Sequence, residues 1–143
     1  MTEGSKRRLK MWIRLLGVTR RAEGELREYL RLTHDTTLPR FDVMAALYRR
    51  RDGLTMGELS RMLLVSNGNA TVVVDRLEKD GLARRIPSET DRRAVSVVLT
   101  PEGLAAFEAQ AAGHEVEVTR LFARLSDDDV DAITDILKRA EKT

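Results

Sequence analysis

The sequence predicts a mainly α-helical fold with a small β-hairpin wing: a winged helix-turn-helix lobe flanked by long N- and C-terminal dimerisation helices. Three observations predict it. Apolar residues recur at helical spacing along most of the chain. Two short helices, the second opening near Asn67-Gly68-Asn69, are joined by a tight turn. Two valine-rich strands then flank a polar loop that carries Arg92 and Arg93. The 143 residues are read as one domain, 1–143, with about 38–100 as the lobe and about 6–31 and 101–143 as dimerisation helices.

The first helix is expected from about Lys6 to Arg31, on the spacing of Leu9, Ile13, Leu16, Ala22, Leu26 and Leu30. His34 to Leu38 reads as a short loop. Pro39 suits the first position of a second helix that runs to about Arg51, with Phe41, Met44, Ala45 and Tyr48 on its apolar face. Asp52-Gly53 ends it. Thr55-Met56-Gly57-Glu58 is a capping box, in which a Thr hydroxyl takes a backbone N–H and Glu58 reaches back, so a third helix is expected over Met56 to Leu63. Ser66 or Asn67 caps a fourth helix ending near Asp80, and Gly81 stops it. Leu82 to Ile86 and Val95 to Leu99 read as strands. Thr100-Pro101-Glu102 restarts a helix with a hydroxyl cap, a proline in the first turn and an acid at the positive end of the dipole. Ser126-Asp127-Asp128-Asp129 opens the last helix in the same way.

Leu104, Phe107, Ala111, His114, Val118, Leu121 and Leu125 follow an alternating three- and four-residue spacing, which is a heptad stripe. Val130, Ile133, Leu137 and Ala140 repeat it. Such a stripe packs on a partner chain or inside its own monomer. The length of the terminal helices relative to the lobe favours a homodimer, with Leu104, Phe107, His114, Val118, Leu121, Leu125, Ile133 and Leu137 at its seam.

Composition narrows the function classes. Hydrophobic residues make up 42% and charged residues 34%, and no apolar run approaches the length needed to span a bilayer. The charged N-terminus is not followed by a signal-like apolar stretch, so the expected location is cytoplasmic, with no membrane partner. There are no cysteines, which excludes disulfides, thiolate metal sites and thiol redox sensing in this chain. Two histidines, His34 and His114, are too few and too far apart for a paired metal motif. No G-x-S-x-G, H-E-x-x-H or phosphate-cradling glycine loop is present, so neither an enzyme nor a cofactor is expected. The net charge of +2 is unevenly spread. Residues 1–100 hold 20 Lys/Arg against 13 Asp/Glu, and residues 101–143 hold 5 against 10. A basic lobe with an acidic tail suits a polyanion partner for the lobe, or simply solvated helix faces.

A winged helix-turn-helix places its second helix in the DNA major groove and its wing along the backbone or in the minor groove. On a helical wheel of the fourth helix, Ala70, Val73, Val74 and Leu77 form the core face. Gly68, Val72, Asp75 and Lys79 point away, with Asn69 and Arg76 at one edge and Thr71 at the other. Val72 is either a tolerated exposed valine or a contact for a thymine methyl. Ser66, Asn67, Asn69 and Thr71 offer short polar groups to phosphates or base edges, and Gly68 permits close approach. A winged helix that binds only protein is the alternative. The basic wing and polar helix start argue against it, because such a surface favours aromatic anchors.

The stretch Leu59-Ser60, Val65-Ser66-Asn67-Gly68-Asn69-Ala70-Thr71, Val74-Asp75-Arg76-Leu77-Glu78, Asp80-Gly81-Leu82, Arg85, Asp91-Arg92-Arg93 and Leu99-Thr100-Pro101-Glu102-Gly103 resembles the central signature of the MarR family. The resemblance implies an obligate dimer on a pseudopalindromic double-stranded DNA operator. It also implies that Asp91 and Arg93 order the wing while Arg92 or Arg93 enters the minor groove, and it places Arg85 with the DNA-binding residues. Many family members carry Arg or another polar residue where this chain has Val72. Phe41-Asp42-Val43-Met44 and Asn67-Gly68-Asn69 also resemble a subgroup that controls breakdown of aromatic acids, some of which sense aromatic acyl-coenzyme A thioesters. Effectors in the family bind between the DNA-binding lobe and the dimerisation helices. The corresponding lining here would be Met11, Trp12, Leu16, Arg20, His34, Phe41, Met44 and Tyr48, although Met and aromatic residues at helical spacing are more often core. The expected effector is a small aromatic carboxylate or an aromatic acyl-CoA.

Overall fold

The computed structural model describes residues 1–63, 67–87 and 94–142, with the side chains of residues 67 and 68 outside that description. The order is α1 (Glu3–His34), α2 (Leu38–Arg49), β1 (Leu54–Thr55), α3 (Met56–Leu63), α4 (Asn67–Lys79), β2 (Ala83–Pro87), β3 (Val95–Leu99), α5 (Pro101–Leu121) and α6 (Asp127–Ala140).

Local chemistry sets most boundaries. The Thr2 hydroxyl accepts from the Ser5 N–H, so α1 starts three residues earlier than its apolar spacing suggests. It runs on through His34 to Asp35, which closes the helix in the left-handed region at φ 48°. The expected His34–Leu38 loop is therefore shorter, and His34 is helical. Thr37 caps α2, with Pro39 in the first turn. The capping box of α3 forms as expected: the Glu58 N–H donates to Thr55 Oγ1 at 3.2 Å and the Thr55 N–H to Glu58 Oε1 at 3.1 Å. Ser126 and Asp129 form the same box on α6.

A third strand went unforeseen. β1 pairs antiparallel with β3, Leu54 opposite Val97, giving a sheet in the order β1-β3-β2. β2 pairs with β3 from Ala83–Leu99 to Pro87–Val95. The core lies where α2 meets α3, α4, the sheet and the start of α5. Val43, Met44, Leu47, Leu54, Leu59, Val74, Leu77 and Val97 are essentially inaccessible there.

The heptad stripe of α5 is only partly free. Phe107 is buried against Phe41 and Tyr48, with ring centroids 5.3 Å and 4.8 Å apart, and His114 stacks on Phe41 at 4.4 Å. Both were expected at a seam between chains, yet both dock α5 onto α2 of their own chain. Leu104, Val118 and Leu121 are half-buried, and Leu125 falls beyond the end of the helix. The open apolar surface is elsewhere: Leu9, Trp12, Ile13 and Val18 on α1, and Val130, Ile133, Ile136 and Leu137 on α6, which buries no residue.

Burial holds His114 below the ordinary histidine value. The unfolded chain takes up this proton near pH 6.5 and the folded chain only at lower pH. The contribution of His114 to stability is thus full above about pH 6.5 and is lost as pH falls through its depressed folded value. Urea midpoints measured from pH 7.5 to 5.5 should decline in the wild type, and His114→Phe should flatten that decline. An identical pH profile in both proteins would contradict this.

Candidate nucleic-acid interface

α3 and α4 form the helix-turn-helix. Ala70, Val74 and Leu77 fix α4 through the core, with Val73 partly buried beside them, so the opposite side must face outward. Asn69, Val72, Asp75, Arg76 and Lys79 are exposed there, and Thr71 is half-buried at the edge. Val72 is 52% exposed, an apolar group held out among polar ones. Asn67 and Gly68 open the helix. Ser66, which would cap it, lies outside the described residues, as do Asp91, Arg92 and Arg93 of the wing.

The far end of α4 is closed by a Schellman arrangement. The Leu82 N–H donates to Leu77 O at 2.9 Å and the Gly81 N–H to Glu78 O at 3.0 Å, with Gly81 at φ 75°. The start of α5 is tied to this turn. Thr100 Oγ1 donates to Gly81 O at 2.6 Å and accepts from the Gly103 N–H at 3.0 Å, while the Thr100 N–H donates to Leu82 O at 3.1 Å. α4 is thereby anchored to α5. Arg40 of α2 pairs with Asp80 at the same end of α4. Arg85 does not extend freely from β2, because Asp75 and Glu78 of α4 bind its guanidinium.

The expected effector lining does not come together as one slot. Phe41 and Met44 are core residues. Tyr48 is half-buried against Phe107, with Arg51 over its outer face at 5.0 Å. His34 Nε2 lies 2.9 Å from Tyr29 Oη, which itself donates to Gln110 O. Met11, Trp12 and Arg20 are exposed on α1, and Leu16 is half-buried between them. Two surface grooves of about 380 Å³ are lined by other residues. Arg21, Glu25, Arg120, Leu121, Ala123 and Arg124 line one, and the other runs along Glu25, Glu28, Tyr29, Leu32, Thr33, Glu117 and Arg120. Sequence reasoning missed Tyr29. Gly113 is its signal, since a Cβ there would come within 2.1 Å of Tyr29 Oη.

A helix-turn-helix whose second helix turns a polar side outward beside an antiparallel hairpin defines a winged-helix DNA-binding protein. Comparison with known proteins agrees. Residues 34–94 match the MarR family. The chain is 30% identical over 139 residues to the HTH-type transcriptional regulator MhqR of Bacillus subtilis, covering 97% of this chain and 92% of that protein. Its structure is similar to that of a MarR family transcriptional regulator from Silicibacter pomeroyi, with TM-score 0.84 and 30% identity over 99% of this chain and 98% of that one. It is also similar to a mutant MarR from E. coli solved in complex with operator DNA, with TM-score 0.83 and 26% identity over 97% and 99%. The chain belongs to the MarR family of helix-turn-helix transcriptional regulators, and is a DNA-binding regulator rather than an enzyme. Among the described residues no helix is long and apolar enough to cross a membrane.

Proposed function

We propose that this protein is a cytoplasmic, homodimeric repressor that binds a pseudopalindromic operator, inserting α4 into the major groove and the wing into the adjacent minor groove. The outward side of α4 carries the reading: Asn69, Val72 and Arg76 stand exposed on a helix whose other side is locked into the core. The similar E. coli protein solved in complex with operator DNA supports a DNA-binding role. Ser66, Asn67, Gly68 and Thr71 complete the groove-facing set. Arg92 or Arg93 supplies the minor-groove contact of the wing, which Asp91 and Arg93 order. Arg92→Ala or Arg93→Ala should weaken operator binding by about 1–3 kcal/mol and reduce the salt dependence of binding, as loss of a phosphate or minor-groove contact does. Fluorescence anisotropy over a salt series checks it. Unchanged affinity in both variants would remove the wing from the mechanism.

An aromatic carboxylate, or an aromatic acyl-CoA, is the proposed releasing ligand. Its support is Tyr48, half-buried against Phe107 at the joint between the lobe and α5, with the Arg51 guanidinium 5.0 Å over its ring. A ring wedged into this joint would shift α2 against α5 and change the spacing of the two recognition helices. Release requires tighter ligand binding to the DNA-free form, and DNA must then weaken ligand binding by the same factor. Adding benzoate-class acids and their thioesters to the protein–operator complex tests this. Release that Tyr48→Ala abolishes supports it, and unaltered DNA affinity with every ligand contradicts it.

A further inference from the structure

Arg85 is held in a way that sets it apart from a DNA-contacting arginine. Its Nη2 donates to Asp75 Oδ1 at 2.6 Å and its Nη1 to Glu78 Oε1 at 2.7 Å. The Arg85 backbone N–H donates to Glu78 Oε2 at 3.0 Å, so one carboxylate grips both the strand and the side chain. The two acids stand three residues apart on α4, where one guanidinium fork can reach both. The Arg85 side chain is 29% exposed, against 58% for Asp75. Arg76 and Arg84, by contrast, are exposed and make no ion pair among the described residues.

The position of the acids gives this network a role. Asp75 follows Val72 by three residues on the outward side of the recognition helix. A bare carboxylate there would face DNA phosphates and repel them. Exposed ion pairs add little to folding stability, so a purely stabilising purpose accounts poorly for three bonds at one arginine. We propose that Arg85 is a positioning residue: it cancels the charge of Asp75 and Glu78 and locks the first wing strand to α4, so that helix and wing meet DNA as one rigid unit, without Arg85 itself reaching a phosphate. The inference rests on the DNA-binding reading of α4 and the wing.

The test compares wild type, Arg85→Gln, Arg85→Lys and the triple variant Asp75→Asn/Glu78→Gln/Arg85→Gln, each titrated with operator DNA across a salt series. Arg85→Gln should weaken operator binding about ten-fold with the slope of log K against log salt unchanged, because no phosphate contact is lost. The triple variant should recover most of that loss, since no carboxylate is left bare. Arg85→Lys should recover only part, because an ammonium cannot fork between two carboxylates. A slope reduced by about one in Arg85→Gln would overturn the positioning role in favour of direct phosphate contact, and a triple variant as weak as Arg85→Gln would overturn the charge cancellation. Wild-type protein that binds no DNA would overturn the underlying reading instead, so the two failures are distinguishable.

Discussion

Ile133→Glu combined with Leu137→Glu should leave the protein monomeric and cost at least about 100-fold in operator affinity, the loss expected when two linked half-site contacts become one. α6 is a well-capped helix with an apolar face that nothing among the described residues covers. Val130, Ile133, Ile136 and Leu137 are each 40–52% exposed. A side chain of this kind contributes about 1.5–3 kcal/mol when fully buried, so leaving four of them in water is a large penalty that a second copy, as proposed, would remove. Leu9, Trp12, Ile13 and Val18 are a second set of exposed apolar residues, on α1. Two glutamates on α6 delete apolar area and would have to bury carboxylates at a seam. The lobe should fold normally in the variant, because no core residue comes from α6. Sedimentation equilibrium at micromolar concentration and an operator titration check both halves. A variant that stays dimeric and binds DNA as wild type does would contradict the assignment of α6 to the interface.

Gly103→Ala should destabilise the fold by about 3 kcal/mol, at the upper end of what overpacking costs. A Cβ at position 103 would lie 1.9 Å from Leu82 O and 2.9 Å from its carbonyl carbon. Both are backbone atoms that already hold hydrogen-bonded positions in the turn after α4, so no side-chain rotation relieves the clash. α5 must move away, and the Thr100 bonds to Gly81 O and Leu82 O go with it. DNA affinity should therefore fall along with stability, because this joint fixes α4 relative to α5. Gly24→Ala is the control. It lies within α1 with nothing within 4 Å of its Cβ position, and should be neutral or stabilise by up to about 1 kcal/mol. Thermal melts of the two variants check the contrast, and similar midpoints would refute it.

Local chemistry was legible in the sequence, and long-range pairing was not. The Thr55–Glu58 box, Gly81, the Thr100-Pro101 start and the Ala70/Val74/Leu77 face all act within about two turns of helix, so spacing alone locates them. β1 has only two residues and exists because Leu54 meets Val97, more than 40 positions away, which periodicity cannot register. The α5 stripe shows the same limit. Even spacing put Phe107 and His114 on one face but could not say that Phe41 of the same chain would occupy it. Phe41 and Met44 looked like ligand lining for the same reason, and proved to be core. The Arg85 network was readable in principle. Two acids three residues apart on a helix, followed past a glycine turn by an arginine on a strand that folds back, bring opposite charges together.

Selection of bound sequences from a random double-stranded DNA pool by the purified protein tests the central claim most directly. An α4 presented twice by a two-fold symmetric dimer should enrich a pseudopalindrome with half-sites about one helical turn apart, ~10 bp centre to centre. Arg92→Ala/Arg93→Ala protein should enrich the same half-sites less strongly. A pool that shows no enriched motif, or one enriched for a single unrepeated half-site, would contradict a dimeric, sequence-reading winged helix.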